Sequence, residues 1–150
     1  MPLISPEDRQ TLETLFAQEL QDDVTITYFT QQESVLTIRG QECATCKETR
    51  ELLEEVTAIS EKLHLHVKDF VRDEQEAQRL GITHIPAFIL QGHARGAVRF
   101  FGIPSGYEFS TLIEDLLDVS KGTTTLKEKT REAFSTVDQD LHIQVFVTPT

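Results

Sequence analysis

The chain has 150 residues, 39% of them apolar and 26% charged, enough apolar material for one folded domain or one domain with an appendage. Its 25 acidic residues outnumber 14 basic ones, and the net charge of −11 argues against nucleic-acid or anionic-membrane partners. No apolar run is long enough to span a bilayer and no basic-then-apolar leader opens the chain, so a cytoplasmic location is expected.

In chain order, Ser5-Pro6-Glu7-Asp8 reads as a helix start: Ser5 caps, Pro6 takes the first position, and acids fill the first turn. Leu12, Leu15, Phe16 and Leu20 share one face, predicting a helix over about 6–20. Two strand-like runs follow, V-T-I-T-Y-F-T (24–30) and S-V-L-T-I-R (34–39), joined by Q-Q-E as a hairpin. Leu52, Leu53, Val56, Ile59 and Leu63 then mark a helix over about 44–63.

Next comes H-L-H-V-K-D-F (64–70), a strand with Leu65 and Val67 on one side and His64, His66 and Lys68 on the other. A short helix over 73–80 stops at Gly81. A-F-I-L-Q (87–91) and A-V-R-F-F (97–101) form a second hairpin, and Phe109, Leu112, Ile113, Leu116 and Leu117 a helix over about 107–119. A crossover helix between parallel strands, a closing hairpin and helices for both faces predict an α/β sandwich around a mixed sheet. After the break at K-G-T-T-T, Leu126, Ala133, Phe134 and Val137 predict another helix and L-H-I-Q-V-F-V-T (141–148) another strand. Helix then strand is also how the chain opens, which suggests an internal repeat.

The only two cysteines stand three apart in G-Q-E-C-A-T-C-K, between a predicted strand and a predicted helix. A bridge over so short a loop removes little unfolded-chain entropy, so reactivity explains the pair better than stapling. At a helix start the unpaired N–H groups and the dipole favour a thiolate on Cys43, and Cys46, one turn on, shares its face and can resolve a mixed disulfide. Two other readings stand beside this one. The pair can be inert, or it can supply two metal ligands with His64, His66 or His84 completing the site. Glu42, directly before Cys43, either opposes the dipole and disfavours the thiolate or points to water and is screened. Pro86, at the entrance of strand 87–91 in I-T-H-I-P-A-F, suits a cis Ile85-Pro86 bond that would turn the Ile85 backbone towards an extended substrate, and His84 reads either as a residue near the sulfurs that tunes them or as an exposed loop histidine. With no Gly-rich phosphate loop in the chain, no nucleotide or flavin cofactor is expected, and electrons would come from a partner.

These motifs carry a resemblance. L-I-S-P-E-D at the start, C-A-T-C-K, the proline of H-I-P-A, R-F-F-G-I-P-S-G-Y-E-F (99–109), L-L-D-V-S (116–120) and V-D-Q-D-L-H-I-Q-V-F-V-T-P-T resemble the glutaredoxin-like protein disulfide oxidoreductases, built from two thioredoxin units in tandem. The G-x-P-x-G-x-E-F stretch is shared more distantly with the N-terminal domain of the alkyl hydroperoxide reductase flavoprotein subunit. The resemblance implies a thioredoxin-like three-layer sandwich with a C-terminal helix–strand extension. It also implies thiol–disulfide exchange, with Cys43 attacking and Cys46 resolving.

Residues 1–119 would be the thioredoxin-like domain, and 120–150 the start of a truncated second unit. Relative to the family, 24–32 looks like an extra strand that alters the sheet edge. The family's second C-x-x-C, expected directly after V-F-V-T-P-T, is absent. Either the chain is cut within a longer protein, or the frame stops where a cysteine is expected. UGA, one base from both cysteine codons, can serve there as stop or as selenocysteine. The expected partners are protein dithiols and disulfides, an upstream reductase or flavoprotein, and a second copy of the chain, paired as a homodimer through the C-terminal strand. A non-catalytic interaction or dimerisation domain is the rival reading.

Overall fold

The computed structural model of the chain describes residues 2–31 and 43–147. Its elements are α1 (Pro6–Glu19), β1 (Val24–Thr30), α2 (Cys46–Thr57), β2 (Leu63–Asp69), α3 (Glu74–Arg79), β3 (Ala87–Gln91), β4 (Val98–Phe101), α4 (Tyr107–Lys121) and α5 (Glu128–Ser135). α1 begins as expected, with the Ser5 hydroxyl accepting the Asp8 N–H at 3.1 Å and Pro6 in the first turn.

Among the described residues, the four strands form one mixed sheet in the order β2-β1-β3-β4. β1 runs parallel to β2, from Val24 opposite Leu63 to Thr30 opposite Asp69, and α2 is the crossover between them. On its other side β1 pairs antiparallel with β3, from Thr25 opposite Gln91 to Phe29 opposite Ala87, and β3 and β4 form the predicted hairpin. This corrects the reading of 24–32 as an added strand at the sheet edge. Like β3, β1 is flanked on both sides and carries apolar side chains for both faces: Val24, Ile26 and Tyr28 on one, Phe29 on the other, all fully buried. Its expected hairpin partner, 34–39, lies outside the described residues.

Alternation along the strands divides the core. One face packs Val24, Ile26, Tyr28, Phe88 and Leu90 beneath α1 (Leu12, Phe16), α2 (Leu52, Leu53, Val56) and α4 (Leu112, Ile113, Leu116, Val119). The opposite face is thinner: Phe29, Ala87 and Ile89 meet Ala77 of α3 and the following Leu80 and Ile82. Helices therefore cover both faces, in three layers.

Two boundaries differ from expectation. α2 ends at Thr57, and Leu63, whose spacing continued the helical stripe, instead opens β2 after a turn through Ser60. At the C-terminus α5 forms but buries none of its residues, and 141–147, expected as a strand, belongs to no sheet. Its Ile143, Val145 and Phe146 are 71%, 78% and 89% exposed. A strand is a pairing, and among the described residues nothing pairs with this one. No helix among the described residues is long and apolar enough to cross a membrane.

Candidate active site

The two cysteines meet at the end of the sheet where β1 stops. Gln31, the residue after β1, turns its side-chain carbonyl to accept the Cys43 N–H at 3.0 Å. Cys43 and Cys46 are joined in a disulfide with their Cα atoms 5.5 Å apart. Residues 44 and 45 form a turn, and α2 starts at Cys46 with Thr45 as its cap, so the helix begins at the second cysteine rather than the first. Thr45 is a cap-type residue, and a cap lies outside the helical backbone it terminates. Cys43 consequently sits just ahead of the first turn, still at the positive end of the helix dipole, while Cys46 lies within that turn. Burial separates the pair further: Cys46 is 5% exposed and Cys43 only half-buried.

The floor of the turn is lined by buried hydroxyls. Thr45 O accepts both the amide of Thr49, at 2.9 Å, and its hydroxyl, at 2.7 Å. Tyr28, wholly buried in the middle of β1, donates its hydroxyl to Cys46 O at 2.7 Å. Burial pushes the Tyr28 phenol above its ordinary value, against a smaller lowering effect of the neighbouring Thr30 and Thr49 hydroxyls. Sequence reasoning missed Tyr28, reading it as strand filling. The available signal was a hydroxyl at a position that alternation with Val24 and Ile26 turns towards the core.

Sheet register brings Pro86 to the same end. Phe29 pairs with Ala87, so Pro86, one residue before, falls beside the C-terminal end of β1, from which Gln31 reaches Cys43. The Ile85–Pro86 bond is cis, Pro86 is buried and Ile85 half-buried. Gly102 donates its N–H to Pro86 O at 2.8 Å and adopts φ +99°, a backbone that favours glycine, which anchors the G-I-P-S-G loop against the proline. His84 is exposed, stacked on Phe101 with ring centroids 4.5 Å apart, its Nδ1 3.0 Å from the Thr83 hydroxyl. Glu42 lies outside the described residues.

The other histidines are not brought to the sulfurs. His64 is paired with Thr25 in the ladder, at the start of β1 rather than its end, and its Nε2 is 3.2 Å from Asp23. His66 points from the same edge strand, opposite Thr27. Among the described residues no three His, Cys, Asp or Glu side chains gather to hold a metal ion.

Residues 34–114, more than half of the chain, match the family model described as thioredoxin domain. The chain belongs to that family. This thioredoxin domain superposes on a protein disulfide oxidoreductase from Aeropyrum pernix with TM-score 0.71 and 23% identity, over 88% of this chain and 54% of that one. It superposes equally, TM-score 0.71 and 22% identity, on the alkylhydroperoxide reductase protein AhpF from Enterococcus faecalis, over 86% of this chain and 58% of that one. Both likenesses show the fold, and both groups are those the sequence motifs indicated. The chain spans little more than half the length of either structure. No curated protein sequence matches it significantly.

Proposed function

We propose that this thioredoxin domain is a protein disulfide oxidoreductase. The observation that carries the reading is a C-x-x-C disulfide at the head of α2, Cys43 half-buried and Cys46 buried, at the same end of the sheet as the cis Ile85–Pro86 bond. In the reducing direction the Cys43 thiolate attacks one sulfur of a substrate disulfide, the other sulfur leaves as a thiolate, and a mixed disulfide forms. Cys46 then loses its proton and attacks Cys43 Sγ. The substrate's second thiolate is released, and two electrons have passed from the domain to the substrate. Ile85 and Pro86 would shape the groove in which an extended substrate lies, and Glu42 and His84 would tune the sulfurs.

The partners on this reading are protein dithiols and disulfides, and a reductase or flavoprotein upstream, in the cytoplasm. Residues 1–119 act as the redox unit, and 120–150 open a second unit, supported by α5 followed by an alternating apolar run in the order of α1 and β1. That exposed run also supports a second copy of the chain as a partner, paired through it into a homodimer. Reduction of insulin disulfides by the chain and by Cys43→Ser tests the activity. Turnover by the first, lost in the second, is expected; turnover by neither would leave an interaction domain as the better reading.

A further inference from the structure

The apolar packing around Tyr28 does not call for its hydroxyl. Its ring sits wholly buried on the central strand among Ile26, Leu53 and Phe88, where phenylalanine would pack with no polar atom to satisfy. The oxygen is used at the helix terminus instead, donating to Cys46 O at 2.7 Å. Two further buried hydroxyls stand near it, Thr30 at 7% exposure and Thr49 at 0%. Thr49 donates to Thr45 O, so the first two carbonyls of the turn each receive a side-chain hydroxyl. The buried polar side chains among the described residues are Thr27, Thr30, Thr49 and Ser120 besides this phenol, with no carboxylate or imidazole among them.

We propose that Tyr28 is a positioning residue of the redox pair: its hydroxyl holds the Cys46 carbonyl and draws negative charge off it, which favours the thiolate form of the reduced site. The inference rests on the disulfide-exchange reading above. The carbonyl oxygen of Cys46 carries partial negative charge on the residue that bears one of the two sulfurs, and in a buried floor its repulsion of a thiolate is poorly screened. A donor on the carbonyl weakens the repulsion. Only the reduced form carries the charge, so the hydrogen bond favours the reduced side of the equilibrium over the disulfide. Burial raises the phenol's pKa, so the hydroxyl keeps its proton wherever thiols titrate.

The test is the equilibrium with glutathione. Two glutathione thiols reduce the Cys43–Cys46 bond, giving two electrons and two protons to the pair and leaving as one glutathione disulfide. Tyr28→Phe keeps the ring and should shift this equilibrium about threefold to tenfold towards the protein disulfide, the size of one net hydrogen bond, and move the thiolate absorbance titration upward. Thr49→Val, on the same floor, should shift it in the same direction by less. Val24→Ala, fully buried at the far end of the same strand, should lower stability and leave both readouts in place. An unchanged equilibrium in Tyr28→Phe and Thr49→Val overturns the proposal, as does an equal shift in Val24→Ala. A wild-type pair that does not exchange with glutathione at all would sink the redox reading as well, a result the variants cannot produce by themselves.

Discussion

β1 and residues 141–147 are written in similar letters, V-T-I-T-Y-F-T against L-H-I-Q-V-F-V, and meet opposite fates. Val24, Ile26, Tyr28 and Phe29 of β1 are fully buried and Thr27 and Thr30 nearly so, whereas Leu141, Val145 and Phe146 are 62%, 78% and 89% exposed. The difference is not propensity. β1 has a ladder on each side, from β2 and β3, and three helices above it, so its backbone groups and its side chains are both satisfied. The later run has neither among the described residues. Alternation nominates a strand, and neighbours make it one.

The largest test sets one residue of each run against the other. Ile26→Ala removes a fully buried side chain from β1 and should cost about 2–5 kcal/mol in urea unfolding. Phe146→Ala, at 89% exposure, should stay within about 0.5 kcal/mol. A loss above about 1 kcal/mol for Phe146→Ala would show that the run is packed in solution, and the contrast would fail.

A smaller effect is expected where β1 is joined to its cover. Ser120, wholly buried near the end of α4, accepts the N–H groups of Gln21 at 2.9 Å and Asp22 at 3.0 Å and donates to Asp22 O at 2.6 Å. Ser120→Ala leaves those groups at the entrance to β1 without their partner, and should cost about 1–3 kcal/mol. A neutral result would mean that water replaces the hydroxyl, and that the entry turn does not depend on α4.

The sequence made the site more legible than the sheet. Two cysteines at redox spacing and a proline at a strand entrance are local signals with few alternative meanings, and Cys43, Cys46, Ile85 and Pro86 do gather at one end of the sheet. The place of β1 in the sheet was not local. Two strand-like runs precede the cysteines, and nothing in their periodicity says which lies at the centre. The cue was burial on both faces, with a threonine small enough to be enclosed at 27. Leu63 misled because a turn can preserve helical spacing by chance between the last turn of α2 and the first residue of β2. Tyr28 was hidden because its partner is a backbone carbonyl, which no side-chain pattern records.

The smallest predicted effect lies on the cover itself. Asp115 of α4 has its carboxyl raised above the ordinary value of 3.8, first by burial and then by the like charges of Asp118 and Glu114. The folded pKa is above the unfolded one, so the native state binds this proton more tightly. The resulting stabilisation is full below the unfolded value and is lost as pH rises through the raised folded one. At neutral pH the ionised Asp115 is therefore a liability on the helix that roofs β1. Asp115→Asn removes the charge and keeps the shape, and should gain a few tenths of a kcal/mol at neutral pH, about the size of one like-charge pair on a helix. Below the unfolded pKa the wild-type carboxyl is itself neutral, and the gain should vanish. Urea midpoints at the two pH values decide it. A gain that persists in acid would trace to packing or hydrogen bonding of the amide, and a loss at neutral pH would mean that the carboxylate makes a favourable contact which outweighs its burial.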